Sequence, residues 1–220
     1  LGGISVCSVG HCNPDIVEAV REQAGRLMHT SNLFFTEPMV RLAERLSESS
    51  LGGRVFFSNS GTEANECAIK IARKHAHRRG VGEPEIVSFD KDFHGRTYGA
   101  LAATPRLAAD PDLGPMLPGF RAVPFDDAAA LREAVGGSTA AVLIEPIQGE
   151  SGIYPLSDET LLAARQACDE AGPGHFVAGA IGPLNVTLSL SPRVDDPAYR
   201  TTTFDAVQAS YAEQIRGLVE

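Results

Sequence analysis

The sequence predicts an α/β fold with a mostly parallel sheet and helices on both faces. Three observations point there. Strand-like and helix-like stretches alternate along the chain. The stretch Ala140–Ile144 is almost wholly apolar, as strands buried on both faces are. The polar clusters with chemical potential follow directly on strand-like runs, at the sheet edge where open α/β folds hold ligands.

Element by element, Asn13-Pro14 ahead of Ile16, Val17, Val20, Ala24 and Leu27 reads as a capped helix with proline in its first turn. A second helix is predicted over 37–49, with Val40, Leu42, Ala43 and Leu46 on one side. Arg54–Phe57 is short, apolar and β-rich, so a strand is expected there. It leads into Ser58-Asn59-Ser60-Gly61-Thr62-Glu63, where a helix begins and runs to about Arg79, its apolar positions Ala64, Cys67, Ala68, Ile71 and Ala72. Strands follow at Glu85–Phe89 and Ala140–Ile144, separated by a Gly/Pro-punctuated stretch and a helix over 127–135. A helix over 157–170, a strand over 175–178, a turn-rich segment over 179–199 and a helix from Thr203 onward complete the reading.

Composition narrows the function. The 220 residues carry 19 Lys+Arg against 28 Asp+Glu, a formal net charge of −9, so no basic stripe is available for nucleic acid or an anionic membrane. No apolar run reaches the length of a membrane-crossing helix. No charged-then-apolar leader opens the residues given, so a cytoplasmic setting is expected. The four cysteines, Cys7, Cys12, Cys67 and Cys168, lack metal-ligand spacing, so they are read as reduced thiols and no metal site is expected.

Three clusters carry chemical potential. Around Gly61, the hydroxyls of Ser58, Ser60 and Thr62 and the free amides of a helix start can cradle a phosphate, while Ser60 with Glu63 also fits a simple capping box. It is not a Walker loop, because the Gly-Lys-Ser/Thr ending is missing. Phe93-His94-Gly95-Arg96-Thr97 follows a strand, where an aromatic can stack on a flat ring or merely tether the loop. Glu145-Pro146-Ile147-Gln148-Gly149-Glu150 also follows a strand, and can meet a polar ligand edge or form a solvated loop. In a parallel sheet the three clusters would converge, which favours a ligand.

Taken together these clusters resemble the class III, fold-type I aminotransferases that use pyridoxal phosphate, within them the acetylornithine/ornithine group. Leu1-Gly2-Gly3-Ile4 with Gly10-His11, and His29-Thr30-Ser31-Asn32-Leu33, are similar to that family's early blocks. Ser58–Asn65, Phe93–Gly99 and Glu145–Gly152 are similar to its central ones, in order and in approximate spacing. The resemblance implies that Gly61 and Thr62, with Ser60 adjacent, hold the cofactor phosphate. Phe93 would stack on the ring with His94 beside it, and Glu145 and Gln148 would lie near the ring edge and phenolic oxygen. Glu150 would help hold a substrate-binding arginine, and Ser31, Asn32 and Phe34 would border the substrate channel. Also implied are an amino-acid donor of the ornithine type, 2-oxoglutarate as acceptor, a place in arginine biosynthesis and a homodimer.

The resemblance covers residues 1 to about 171, so residues 1–172 are read as the N-terminal part of an incomplete aminotransferase large domain. Three parts the family supplies are not seen: an Asp-Glu pair on the strand after the 157–170 helix, the Schiff-base lysine, and a late substrate-carboxylate arginine. The only lysines are Lys70, Lys74 and Lys91, none placed like the missing one, so no catalytic residue is assigned and the chain alone is expected to be inactive. Residues 173–220 resemble something else. His175–Pro183, Leu190-Ser191-Pro192, Asp196–Arg200, Thr203-Phe204-Asp205 and Arg216-Gly217-Leu218 are similar to a strand–loop–helix piece of the homocysteine-binding (β/α)8 barrel of cobalamin-dependent methionine synthase. Leu184 departs from the threonine usual there, and no cysteine follows Cys168, so zinc binding and methyl transfer are not expected.

Overall fold

Capping and apolar spacing place the helices where the sequence puts its punctuation. The computed structural model describes residues 6–7, 9–49, 53–150, 152–172 and 174–179. The expectations for Leu1–Ile4, for the turn-rich segment beyond Gly179 and for the helix from Thr203 lie outside the described residues.

The chain divides into two compact units. The described part of the first holds α1 (Pro14–Arg26) and α2 (Glu37–Glu48). Asn13 caps α1, its side chain accepting from the amides of Asp15 and Ile16, and proline opens each helix.

The second unit starts at Phe57 and holds α3 (Gly61–Arg78), β1 (Glu85–Phe89), α4 (Tyr98–Ala102) and α5 (Pro105–Ala108). After a single 3-10 turn come β2 (Phe120–Val123), α6 (Ala128–Ala134), β3 (Thr139–Ile144), β4 (Ile147–Gln148), β5 (Tyr154–Pro155), α7 (Asp158–Glu170) and β6 (Phe176–Gly179). The main sheet is parallel throughout, in the order β2-β1-β3-β6, and β4 and β5 form a small antiparallel ladder.

The two faces of this sheet follow the period of two along its strands. Val87, Phe89, Val142 and Ile144 point to one side, where they pack with Leu131 of α6 and with Ala163, Ala164 and Cys168 of α7. Ile86, Ala141 and Leu143 point to the other, against Ile69, Ala72 and Ala76 of α3. Small residues on α3 and α7 let both helices lie close to the sheet. Strand β3 is buried along its whole length, as its apolar run required.

Three expectations change. Arg54–Phe57 is extended but pairs with no strand among the described residues, and Phe56 and Phe57 stay exposed. A β-rich tetrapeptide needs a partner ladder to become a strand, and among the described residues none pairs with this one. The buried line of α3 is Ile69-Ala72-Ala76, whereas Ala64 and Ile71 are exposed. Strand β2 was not expected, being four residues long at a sheet edge with Arg121 in its middle.

The predicted strand near His175 forms one residue later, as β6. It docks parallel to β3, with Val142 opposite Val177 and Ile144 opposite Gly179. Leu131, wholly buried between the sheet and α7, is the sharpest probe of this packing. Leu131→Ala should destabilise the second unit by about 2–5 kcal/mol, read as a lowered midpoint in urea unfolding followed by circular dichroism.

Candidate active site

The site grows from the start of α3. Ser60 Oγ accepts from the Glu63 amide at 3.3 Å, while Glu63 Oε2 accepts from the Asn59 amide at 2.6 Å. Ser60 thus makes its half of a capping box, while Glu63 reaches past the Ser60 amide to that of Asn59, so the capping reading of this segment is realised in part. It does not use up the helix end. The amides of Gly61 and Thr62 have no intrahelical carbonyl to reach, and they add to the positive end of the helix dipole. A side chain at Gly61 would meet nothing within 4 Å, so its absence leaves open room beside those amides.

One face of α3 then grips the loop after β1. Thr62 Oγ1 lies 3.0 Å from Thr97 Oγ1, Asn65 Nδ2 donates to the His94 carbonyl at 2.7 Å, and Glu66 Oε1 accepts from Thr97 Oγ1 at 2.6 Å. Glu66 Oε1 also accepts from the amides of Gly99 and Ala100 at 3.0 and 3.1 Å, which caps α4. The approach is so close that a Cβ on Gly95 would overlap the Thr62 hydroxyl, and one on Gly99 would overlap the Glu66 carboxylate. Gly95 also has φ +130°, open to glycine but costly for other residues.

The end of β3 holds the same loop from the other side. Glu145 Oε2 accepts from the Phe93 amide at 2.8 Å. Gln148 Nε2 donates to Asp92 Oδ1 at 2.8 Å and to the Asp90 carbonyl at 3.2 Å. Asp92 Oδ2 accepts from the Phe89 amide and sits 3.3 Å from Nε2 of His94, whose ring is fully enclosed. The His94 amide donates to Thr104 Oγ1 at 3.0 Å.

Burial pushes the Glu145 carboxyl up to about 8, against the Phe93 amide that favours its charged form and with the charges of Asp92 and Glu150 adding to the rise. Near neutral pH this group is therefore largely protonated, a neutral carboxylic acid at the exit of β3.

The structure thus links Thr62, Phe93, His94, Glu145 and Gln148 in one hydrogen-bonded cluster, with Ser60 and Gly61 next to Thr62 in the chain but not themselves bonded to the loop. Gln148 and His94 are buried within it, and Phe93 is partly exposed with the Arg96 guanidinium 5.9 Å from its ring. A cleft of about 460 Å3 opens beside Phe93, bordered by Glu150, Lys91, Arg106 and Tyr154. Ser31, Asn32 and Phe34 are exposed and belong to the first unit, in the turn between α1 and α2.

Sequence reasoning missed Glu66, Asp92, Thr97 and Thr104 as organising residues. A signal for Glu66 was present. Thr62, Asn65 and Glu66 are spaced i, i+3, i+4, so they form a polar stripe on a helix whose next turns bury alanine and isoleucine.

No lysine is hydrogen-bonded within this cluster, although Lys91 borders the cleft beside Phe93. The Lys91 Nζ lies over the rings of Tyr154 and Phe125, at 4.7 and 5.2 Å, while Lys70 and Lys74 border a groove on α3 with Arg73. Strand β6 meets the site end of β3 with Ala178 and Gly179, neither of which can ionise.

Known proteins are similar to this chain in sequence and in fold. The family profile described as Aminotransferase class-III matches residues 1–173, and that described as Homocysteine S-methyltransferase matches residues 137–220. The acetylornithine aminotransferase of Caldanaerobacter subterraneus is 48% identical over 171 residues, covering 77% of this chain and 44% of that protein. Its counterpart from Methanocaldococcus jannaschii is 49% identical over 171 residues, covering 77% and 43%. Among solved structures, the ornithine aminotransferase of Toxoplasma gondii, with pyridoxal phosphate at partial occupancy in its active site, superposes with a TM-score of 0.72 at 33% identity. That match covers 80% of this chain and 43% of the other. The N-acetylornithine aminotransferase of Stenotrophomonas maltophilia gives 0.63 at 40% identity, covering 77% and 42%. The chain spans less than half the length of these relatives.

The raised Glu145 carboxyl has a measurable consequence. Its folded value, about 8, lies above the ordinary 4.5, so its contribution to stability is complete below about 4.5 and is lost as pH rises through about 8. Glu145→Gln should flatten the fall in stability across that window, read as urea midpoints for both proteins between about pH 5 and pH 9.

Proposed function

We infer the function from one premise: the chain belongs to the class-III aminotransferases. The reading is that it carries the cofactor-holding part of a pyridoxal-phosphate-dependent enzyme that moves an amino group from an acetylornithine-like donor to 2-oxoglutarate. The observation that carries it is the bonding of three separate segments, at the start of α3, after β1 and after β3, into one cluster. When bound, the cofactor supplies an electron sink for amino-group transfer.

The residues present fit its phosphate and one ring face. The amides of Gly61 and Thr62, with Ser60, would hold the phosphate, and Phe93 would stack on the ring with His94 behind it. Glu145, protonated near neutral pH, would present a neutral carboxyl near the ring edge with Gln148. Glu150, in the cleft beside Phe93, would serve the substrate side, as would Ser31, Asn32 and Phe34 in a homodimer. A cytoplasmic location belongs to the same reading.

The fit ends where charge and covalent attachment are needed. Strand β6 offers Ala178 and Gly179 beside the end of β3, with no carboxylate for the ring nitrogen. None of the three lysines lies within the bonded cluster. The chain therefore performs no turnover by itself, and the second reading it supports is non-catalytic binding of pyridoxal phosphate, or a joined product without independent function. The profile match over residues 137–220 supports reading residues 173–220 as a piece of a homocysteine-methyltransferase barrel of the cobalamin-dependent methionine synthase type. With no cysteine after Cys168, that piece supplies no thiolate for zinc and transfers no methyl group.

Purified chain mixed with pyridoxal phosphate, N-acetylornithine and 2-oxoglutarate should form no glutamate, and borohydride should leave no cofactor fixed to the protein by mass spectrometry. Steady glutamate formation, or a reduced adduct on Lys91, would overturn the inactive reading.

A further inference from the structure

We propose that Glu66 and Thr97 are positioning residues that register the ring-stacking loop against the anion-holding start of α3, and that the Thr62 hydroxyl serves as a strut between the two. The proposal rests on the reading of that helix start as a phosphate site and deepens it.

The direction of the hydrogens follows from the donor inventory. The Thr97 hydroxyl donates its hydrogen to Glu66 Oε1 at 2.6 Å. Thr97 Oγ1, its hydrogen committed, can take part in the 3.0 Å contact with Thr62 Oγ1 only as acceptor. Thr62 must therefore donate to Thr97, and its hydroxyl hydrogen is turned toward the loop. The Thr62 hydroxyl is also packed against Gly95, where no side chain fits. What remains for an anion at this residue is its backbone amide. The same Glu66 oxygen holds the amides of Gly99 and Ala100, so one carboxylate fixes the far side of the loop that carries Phe93. Asn65, bonded to the His94 carbonyl, closes the seam between the two contacts.

This division of labour separates two affinities. Inorganic phosphate needs the amides alone, whereas pyridoxal phosphate needs the amides and the Phe93 ring at a fixed separation. Thr97→Val deletes the hydroxyl link but leaves Glu66 capping α4, so it tests the proposal even where Glu66→Ala does not fold. By isothermal titration, Thr97→Val should bind inorganic phosphate within about twofold of the unsubstituted chain and pyridoxal phosphate about tenfold more weakly, the loss expected for a charge-linked hydrogen bond. Thr97→Ser, which restores the hydroxyl, should recover the original ratio. Equal weakening of both ligands, or unchanged affinity for both, would overturn the proposal. Absence of saturable binding of either ligand by the unsubstituted chain would instead overturn the phosphate-site reading beneath it.

Discussion

The second unit depends on a grip between one face of a helix and one loop. Thr62, Asn65 and Glu66 project from the first two turns of α3 and bond to Thr97, His94, Gly99 and Ala100. Without it the loop after β1 would keep its ties at its base, at Phe93 and, through the His94 amide, at Thr104, but would have no bond to α3. The cost falls on sequence freedom at Gly95 and Gly99, where the partners come too close for any side chain.

From the opposite side the loop is held by buried polar groups. Glu145, Gln148 and Asp92 bridge the ends of β1 and β3, and removing these polar groups from water is offset by the hydrogen bonds they make and by proton uptake on Glu145. Clusters of this kind permit few alternative arrangements, because any shift leaves a buried donor or acceptor without a partner. The backbone of Phe93 is thus held by its own amide, through the bond to Glu145.

Much of this was legible in the sequence where the signal was periodic or punctuated. The apolar run of β3, the Ser157-capped α7 and the start of α3 all declared themselves, and so did the three clusters at element ends. The failures share a physical cause. Arg54–Phe57 has strand composition, but pairing is decided by distant neighbours. In β2 the brevity and the central Arg121 hide a strand that its neighbour β1 creates. The apolar spacing of α3 found Ala72 but missed Ile69 and Ala76, because alanines fit either side and only contact with the sheet selects the buried line. Asp92 was missed because its bond to Gln148, 56 residues away, leaves no local trace, whereas the polar stripe that marks Glu66 was there to be read.

The place beside β3 is taken by Phe-Val-Ala-Gly, joined through backbone ladder bonds that any non-proline tetrapeptide can make. Its side chains need only be apolar and modest in size. A parallel sheet is therefore permissive to recombination at such a place: a strand of foreign ancestry can enter there and leave the architecture intact. The shape of the sheet and the chemistry at its edge are thus set by different residues, since the ladder that seats this strand asks little of its side chains.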